Sequence, residues 1–289
     1  MSFQRDLRAE GKAERTGVLY GMSVQLFTEW LAGRDRPATL NELTRSAIRE
    51  WLADLAATRQ ASTVRTRFKG LRRFCGWLLA EGEIDEHPMR GMVAPAAAEK
   101  PVPVLTDGEL AALVKACAGR EFIDRRDEAL IRLLLDTGVR VSEACGLVVA
   151  DVDLDREMAL VTGKGGKVRP VYFGARTARA LDRYLRERRL HRWVHLDALF
   201  LTQRGELSTD GARERVTVRA QQAGLADRMH PHRFRHTFAH DFLINGGQER
   251  DLKRLAGWSS DVMLERYGAS AADVRAREAA KRLRRGDRV

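Results

Sequence analysis

Three side chains in the C-terminal third of this 289-residue sequence have types and spacing that could do chemistry: His232, Arg235 and Tyr267. Pro231 suits the first turn of a helix, where its missing N–H costs nothing, so His232 and Arg235 share one face at a helix start. That end of a helix favours an anion, and the arginine fork can hold two oxygens of a phosphate. Alone, a His-x-x-Arg pair is as readily two surface side chains. Tyr267, between Arg266 and Gly268, would be a core residue in most proteins. Its hydroxyl, with an ordinary pKa near ~10, becomes a nucleophile only where neighbours stabilise the phenolate.

Two further cations sit far upstream. Arg140 lies in Thr137-Gly138-Val139-Arg140-Val141-Ser142-Glu143. Gly138 there permits a close backbone approach, and Glu143 could orient the guanidinium or simply be an exposed acid at a helix start. Lys164 lies in Gly163-Lys164-Gly165-Gly166-Lys167, a turn that could reach into a groove or be an ordinary hairpin with solubilising lysines. His232, His236 and His240 recur every four residues, which invites a metal. The Glu of a His-Glu-x-x-His site is missing, however, and no nearby carboxylate or cysteine cluster completes a tetrahedral set, so no metal is expected. His236 and His240 read instead as structural hydrogen-bonding residues.

The elements that must carry these groups follow from hydrophobic period. Residues 1–17 are polar without apolar period and predict a mobile arm. Leu19, Met22, Leu26 and Trp30 fit one face of a first helix that Gly33 stops. Thr44 is a candidate N-cap for a second helix, and Ser62 or Thr63 for a third. That third helix has a core stripe of Val64, Phe68, Leu71, Cys75 and Leu78. It also carries Arg65, Arg67, Lys69, Arg72 and Arg73 with no interleaved acid. Such a run is often only a solvated face, but without i,i+4 partners a DNA-facing helix is the better reading.

Residues 87–103 hold four of the seven prolines and read as a linker. The chain is thus expected to form an all-helical domain at 1–98 and a second domain at 104–289. The second opens on a capping box, Thr106 to Glu109, and continues into a central helix ending at Thr137-Gly138, then a helix at ACGLVV. Period two at Ala159–Thr162 and Val168–Phe173 predicts short strands around the Gly-rich turn. Helices are expected at Arg176–Arg192, at about Thr209–Ala223, and separately at 271–285. The fold class is mainly α, an all-helical domain followed by an α+β domain with a small antiparallel sheet.

Composition narrows the function classes. Lys and Arg exceed Asp and Glu by 51 to 40, a net +11 that suits a polyanionic partner, although solubility alone could explain it. Cys75, Cys117 and Cys145 are odd in number, scattered and without CxxC, and read as free buried thiols in a reducing cytosol. The N-terminus is too charged for a signal peptide, and no apolar run approaches the ~18 residues of a membrane span. A cytoplasmic protein is expected.

The order and spacing of the chemical residues add what each lacks alone. Arg140 precedes Lys164 by 24 residues, His232 precedes Arg235 by 3, and Trp258 follows Arg235 by 23 and precedes Tyr267 by 9. With the motifs TGVRVSE, GKGGKVR, HRFRHTFA, LAGW and ERYG in that order, the chain resembles the tyrosine recombinase (phage integrase) family from about Thr16 to Tyr267. The resemblance implies a helical core-binding domain of SAM-like type and a catalytic domain of the DNA breaking-rejoining fold, closing together around duplex DNA.

It also implies roles. Arg140 and Arg235 would clamp the scissile phosphate, and His232 would hydrogen-bond it and take the proton of Tyr267. Lys164 would protonate the leaving 5′-oxygen. Tyr267 would form a 3′-phosphotyrosyl bond, with no need of ATP or metal. Glu143 and His236 would orient the clamp. Trp258 stands where most relatives carry His; its indole N–H can donate to a phosphate oxygen but cannot act as acid or base. The implied partner is double-stranded DNA bearing an inverted-repeat site, bound by a homotetramer that passes through a Holliday junction. A type IB topoisomerase and a non-catalytic architectural DNA-binding protein are the rival readings.

Overall fold

The computed structural model describes residues 2–96, 103–163, 165–225, 229–258 and 260–288, with positions 262, 263, 265–270, 273, 285 and 288 described as backbone only. Two compact units divide the chain, Met1–Glu99 and Lys100–Val289.

The described residues of the first unit form four α-helices, α1 (Ser2–Ala9), α2 (Glu14–Ala32), α3 (Arg45–Thr58) and α4 (Ala61–Ala80). α4 buries Val64, Phe68, Leu71, Cys75 and Leu78, the stripe its spacing predicts. Thr44 caps α3, its hydroxyl accepting from Ala47 N at 3.2 Å. α4 starts earlier than expected, with Gln60 at the cap position and no side-chain cap. Neither Ser62 nor Thr63 caps it; the Ser62 carbonyl accepts from Thr66 Oγ1 inside the helix at 2.9 Å.

Two further expectations are overturned in this unit. The first residues are not a mobile arm: α1 buries Phe3 and Leu7. Phe3 packs edge-on against Phe74 with ring centroids 5.2 Å apart, and beside Trp77 at 5.6 Å. Nor does α2 bury Leu19 and Met22, which are exposed; it buries Ser23, Phe27 and Leu31. α2 is apolar on two sides, so period alone cannot choose its core face. Gly70 of α4 chooses. A Cβ there would lie 2.3 Å from Ser23 Oγ and 3.2 Å from Tyr20 Cα, so the missing side chain lets α4 approach along Tyr20–Ser23. Part of the expected linker also folds onto this unit, with Met89 fully buried and Met92 and Ala94 packed against the same core.

In the second unit, α5 (Asp107–Lys115) opens on the Thr106–Glu109 capping box. α6 (Phe122–Thr137) is the central helix, burying Leu130, Ile131, Leu133 and Leu134. α7 (Val141–Cys145) begins three residues before the expected ACGLVV helix, because Glu143 accepts from the Arg140 backbone N–H at 2.9 Å and starts the turn there. β1 (Val152–Asp153), β2 (Met158–Thr162) and β3 (Val168–Tyr172) form an antiparallel sheet in that order. The β2–β3 hairpin pairs Met158 with Tyr172 and Thr162 with Val168, and Ala159, Val161 and Val171 face the core.

α8 (Ala175–Arg188), a short hairpin of β4 (Leu201–Thr202) and β5 (Gly205–Glu206), α9 (Thr209–Gln222), α10 (His232–Ile244), α11 (Glu249–Ala256) and α12 (Asp261–Leu283) complete the order. The last helix is continuous from Asp261 rather than beginning at 271. Gly268 alone costs about 1 kcal/mol relative to alanine, too little to break a helix flanked by Ala269-Ser270-Ala271-Ala272. Cys75 and Cys117 are buried and Cys145 partly so; all three are free. Burial pushes the first two thiols up to about 12 and the third to about 11.

α6 and α9 are joined by a buried carboxylate. Asp127 Oδ1 accepts from Arg126 Nη2 at 2.7 Å. Its Oδ2 accepts from Arg215 Nη2 at 2.8 Å and Arg219 Nε at 2.8 Å. Removing one member of a buried ion cluster leaves uncompensated charge, so Asp127→Ala should lower stability by about 3–5 kcal/mol. The exposed Arg34–Asp54 pair provides the contrast; Arg34→Ala should cost under about 1 kcal/mol. Thermal or urea unfolding of both variants tests this, and equal losses would remove the hub role of Asp127.

Candidate functional site

The turn after α6 brings the first candidate into place. Gly138 ends that helix in the left-handed region at φ 58°. A Cβ there would sit 2.4 Å from Phe238 Cδ1 on α10, so the position requires glycine both for its backbone and for the approach of α10. Two residues on, Arg140 stands at the N-terminus of α7. Its Nη1 donates to Glu143 Oε1 at 2.8 Å. Glu143 is buried, with its side chain 4% exposed against 36% for Arg140.

A residue that the sequence reading did not single out completes this pair. Arg169, on β3, donates from Nη2 to Glu143 Oε2 at 2.9 Å and from Nη1 to Oε1 at 3.2 Å. Its Nε donates to the Leu255 carbonyl of α11 at 2.8 Å. Burial would push the Glu143 carboxyl up, but the Arg169 hydrogen bonds, the Arg140 backbone N–H and both positive charges hold it below the usual carboxylate range. The sequence signal was present: Arg169 is the final residue of GKGGKVR.

Arg235 enters from the first turn of α10 and is 2% exposed. Its Nη1 donates to the Gly138 carbonyl at 2.8 Å and its Nη2 to the Ala256 carbonyl at 2.5 Å. The last carbonyls of a helix have no partner within it, and here Leu255 and Ala256 receive theirs from two different guanidinium groups. Gly257 then ends α11 in the left-handed region. Trp258 follows, nearly buried, its ring centroid 5.3 Å from Arg235 Cζ. His236 is buried one residue past Arg235.

His232, the first residue of α10, is solvent-accessible. Its pKa is held below the ordinary value of 6.5, first by partial desolvation and then by His230, Arg235, Arg213 and Arg140. The neutral form of its imidazole is therefore favoured beside the cations. The structure thus gathers Arg140, Glu143, Arg169, Arg235 and Trp258 into one hydrogen-bonded and stacked frame, with His232 within electrostatic reach of both candidate clamp arginines. Lys164 lies outside the described residues. Tyr267 lies on α12, with its side chain outside them. Among the described residues no group of His, Cys, Asp and Glu is placed to hold a metal ion.

The basic run of α4 belongs to the other unit and divides in two. Arg65, Lys69 and Arg72 are exposed and spaced along one face. Arg67 turns toward α2, donating to Leu19 O at 3.3 Å and contacting Met22 Sδ at 3.0 Å. Arg73 pairs with Asp6 at 3.3 Å and with Glu10. The acids absent from its own helix arrive from α1 and the residue just after it, so Arg73 differs from the unpartnered cation that the local sequence describes. No helix among the described residues is long and apolar enough to cross a membrane.

Comparison with known proteins covers both units. Residues 103–273 match the phage integrase family, and residues 1–82 match its N-terminal SAM-like domain. The tyrosine recombinase XerC of Anoxybacillus flavithermus is 32% identical over 85% of this chain and 83% of its own length. XerD of Corynebacterium glutamicum is 33% identical over 91% and 90%. The crystal structure of the XerA recombinase aligns over 98% of this chain and 96% of its own at 26% identity and a TM-score of 0.56. At 20% identity, XerH bound to palindromic difH substrate in a post-cleavage complex shares the fold with a TM-score of 0.77, over 94% of this chain and 81% of its own.

Proposed function

The chain belongs to the phage integrase family and is a tyrosine site-specific recombinase; on that premise, we propose the roles its residues play in cutting and rejoining DNA. Tyr267 attacks the scissile phosphorus through its hydroxyl oxygen. The bond to the 5′-oxygen breaks, and the 3′-phosphate becomes esterified to the tyrosine. His232 accepts the phenolic proton and Lys164 supplies one to the leaving 5′-oxygen. Rejoining reverses the step with a 5′-hydroxyl as nucleophile. The phosphodiester energy is retained in the phosphotyrosyl bond, so the cycle needs no ATP.

The observation that carries this reading is the frame around Arg140 and Arg235. Each guanidinium is held by fixed acceptors before any substrate arrives: Arg140 by Glu143, Arg235 by two backbone carbonyls. Charge fixed in advance, where a pentavalent phosphorus gathers negative charge, is the most effective form of electrostatic catalysis. The exposed face Arg65–Lys69–Arg72 would contact the phosphate backbone of the duplex. A λ integrase relative has been seen as a tetramer bound to a Holliday junction. We extend that assembly to this chain, acting in the cytoplasm on double-stranded DNA with an inverted-repeat site.

A pool of nicked suicide duplexes of randomised sequence tests the reading. The protein should form an SDS-resistant protein–DNA adduct, and selection of the trapped DNA should return an inverted repeat. Absence of any adduct would leave a binding-only role. Joining of two different duplexes separates recombination from relaxation by a type IB topoisomerase.

Two further outcomes follow from the site. With neutral His232 as the proton acceptor, cleavage should fall on the acid side with a midpoint below the ordinary 6.5, in the direction of its lowered pKa. His232→Gln should remove that limb from the pH–rate profile; a limb at or above 6.5 in the unaltered protein would reassign the acceptor. At Trp258, whose role is an indole N–H donated to a phosphate oxygen, Phe should slow cleavage and His should retain part of it. A Phe variant cleaving at the full rate would remove that role.

A further inference from the structure

We propose that Arg169 is a positioning residue for the cleavage reaction: it ties the carboxylate that aims Arg140 to the helix end that carries Trp258, so both halves of the phosphate clamp keep one register. The proposal rests on the phosphoryl-transfer reading of the site.

The geometry is a closed circuit. Arg140 is held by Glu143 at 2.8 Å. Glu143 is held on both oxygens by Arg169, at 3.2 and 2.9 Å. Arg169 reaches the Leu255 carbonyl at 2.8 Å. The next carbonyl, Ala256, accepts from Arg235 at 2.5 Å, and the other arm of Arg235 returns to the Gly138 carbonyl at 2.8 Å, two residues from Arg140. Arg169 is the member that joins the Glu143 carboxylate to the α11 end, while Arg235 closes the other half of the circuit between the Ala256 and Gly138 carbonyls. Deleting it leaves each candidate clamp arginine with its own acceptors but opens the circuit, cutting the tie from Glu143 to α11.

Charge counting gives the same assignment. Glu143 orients Arg140, but the pair alone is formally neutral, and an orienting carboxylate would cancel the charge that a phosphate needs. Arg169 brings the trio to +1. Its fork covers both carboxylate oxygens, and its side chain is only 13% exposed, so the compensation is weakly screened. Its Nε meets the negative end of α11, where a cation is favourable.

The surrounding backbone is shaped to admit this guanidinium. A Cβ at Gly257 would lie 2.9 Å from Arg169 Cζ, and one at Gly163 would lie 3.3 Å from its Nη1 and 3.4 Å from Glu143 Oε1. Gly163 immediately precedes Lys164, so the root of the loop bearing the proposed acid rests on the same pair. Lysine cannot take over this work. A single ammonium can meet one carboxylate oxygen but not both oxygens and a carbonyl on the far side of a planar fork.

The experiment uses the full chain, trapped on nicked duplex selected with the unaltered protein, and compares Arg169→Lys, Arg169→Gln, Glu143→Gln and the Arg169→Gln/Glu143→Gln double variant. Arg169→Lys should bind the duplex within about twofold of the unaltered protein but form adduct roughly 10- to 100-fold more slowly in single turnover, the scale expected of slightly misplaced catalytic groups. The double variant should be no slower than the worse single one, because both changes break one circuit. Amide exchange at residues 255–258 should quicken in Arg169→Lys, as the turn loses its tie.

Adduct formation by Arg169→Lys at the full rate would overturn the proposal. So would losses that simply multiply in the double variant. Unaltered protein that forms no adduct would instead remove the reaction reading, and the positioning role with it.

Discussion

Tyr267→Phe should bind nicked duplex DNA as tightly as the unaltered protein, within about twofold, and form no SDS-resistant adduct with it. Phenylalanine keeps the ring and loses only the oxygen, so a binding role survives the change while a nucleophile does not. Loss of the nucleophile from a set of residues acting together costs roughly 10⁴-fold or more, which in a gel assay reads as absence. The other tyrosines make the test discriminating. Tyr184 is fully buried, its hydroxyl donating to Leu199 O at 3.0 Å and accepting from Leu201 N at 2.9 Å. Burial pushes it up to about 12, so its phenolate is disfavoured.

Tyr172 is exposed on β3, but three residues from Arg169, hence on the opposite face of the strand. Tyr20 lies on α2 in the other unit. Tyr172→Phe is therefore the control and should form adduct at the full rate. Adduct persisting in Tyr267→Phe would move the nucleophile elsewhere. Adduct lost equally in Tyr172→Phe would mean that ring substitutions disturb the site without identifying it.

Much of the architecture was readable where one period dominates. α4 has a single apolar stripe, and all five of its predicted core residues are buried. The β2–β3 hairpin alternates around a glycine turn and forms within a residue of expectation. Readability failed where the deciding partner is distant in sequence. α1 offers only Phe3 and Leu7 as buried residues, too few to show a period, and what orders it is a pair of aromatic residues on α4. α2 has two apolar sides, and the missing side chain of Gly70 selects between them. Arg73 looked unpartnered because its acids, Asp6 and Glu10, lie more than sixty residues upstream.

The candidate site shows the same division. Types and order picked out Arg140, Glu143, Arg235 and Trp258, which now share one frame, and their roles are proposed from it. Burial was not readable. A glutamate in the first turn of a helix is ordinarily solvated; Glu143 is 4% exposed because two guanidinium groups cover it. Arg169 was visible only as the last letter of a motif, since its function depends on a helix end 86 residues away.

The two candidate clamp arginines should part company when each is removed, and burial decides how. Arg140 has a third of its side chain exposed and one acid partner, and Arg169 remains on Glu143 after its loss. Arg140→Ala should therefore change stability by under about 1 kcal/mol while slowing adduct formation by roughly 10³-fold, the loss of one preorganised donor to transition-state charge. Arg235 is 2% exposed and supplies the Gly138 and Ala256 carbonyls. Arg235→Ala should abolish adduct formation and also destabilise the second unit. Two buried carbonyls lose their donors, at about 1–3 kcal/mol each when left unsatisfied, and Trp258 loses the cation stacked on it. Water entering the cavity would recover part of this, which puts the expected loss near about 2–4 kcal/mol.

Arg235→Lys separates the two effects. Lysine refills much of the volume and can serve one carbonyl, so stability should recover by half or more. Adduct formation should stay low, because a single ammonium cannot hold the backbone and present a second donor to the phosphate as the guanidinium fork does. Unfolding transitions and single-turnover trapping, measured on the same three variants, give both quantities. If Arg140→Ala and Arg235→Ala unfolded at the same temperature, Arg235 would not be the member of the clamp that also ties the turn after α6 to the end of α11, and the circuit through its two carbonyls would lose its structural meaning.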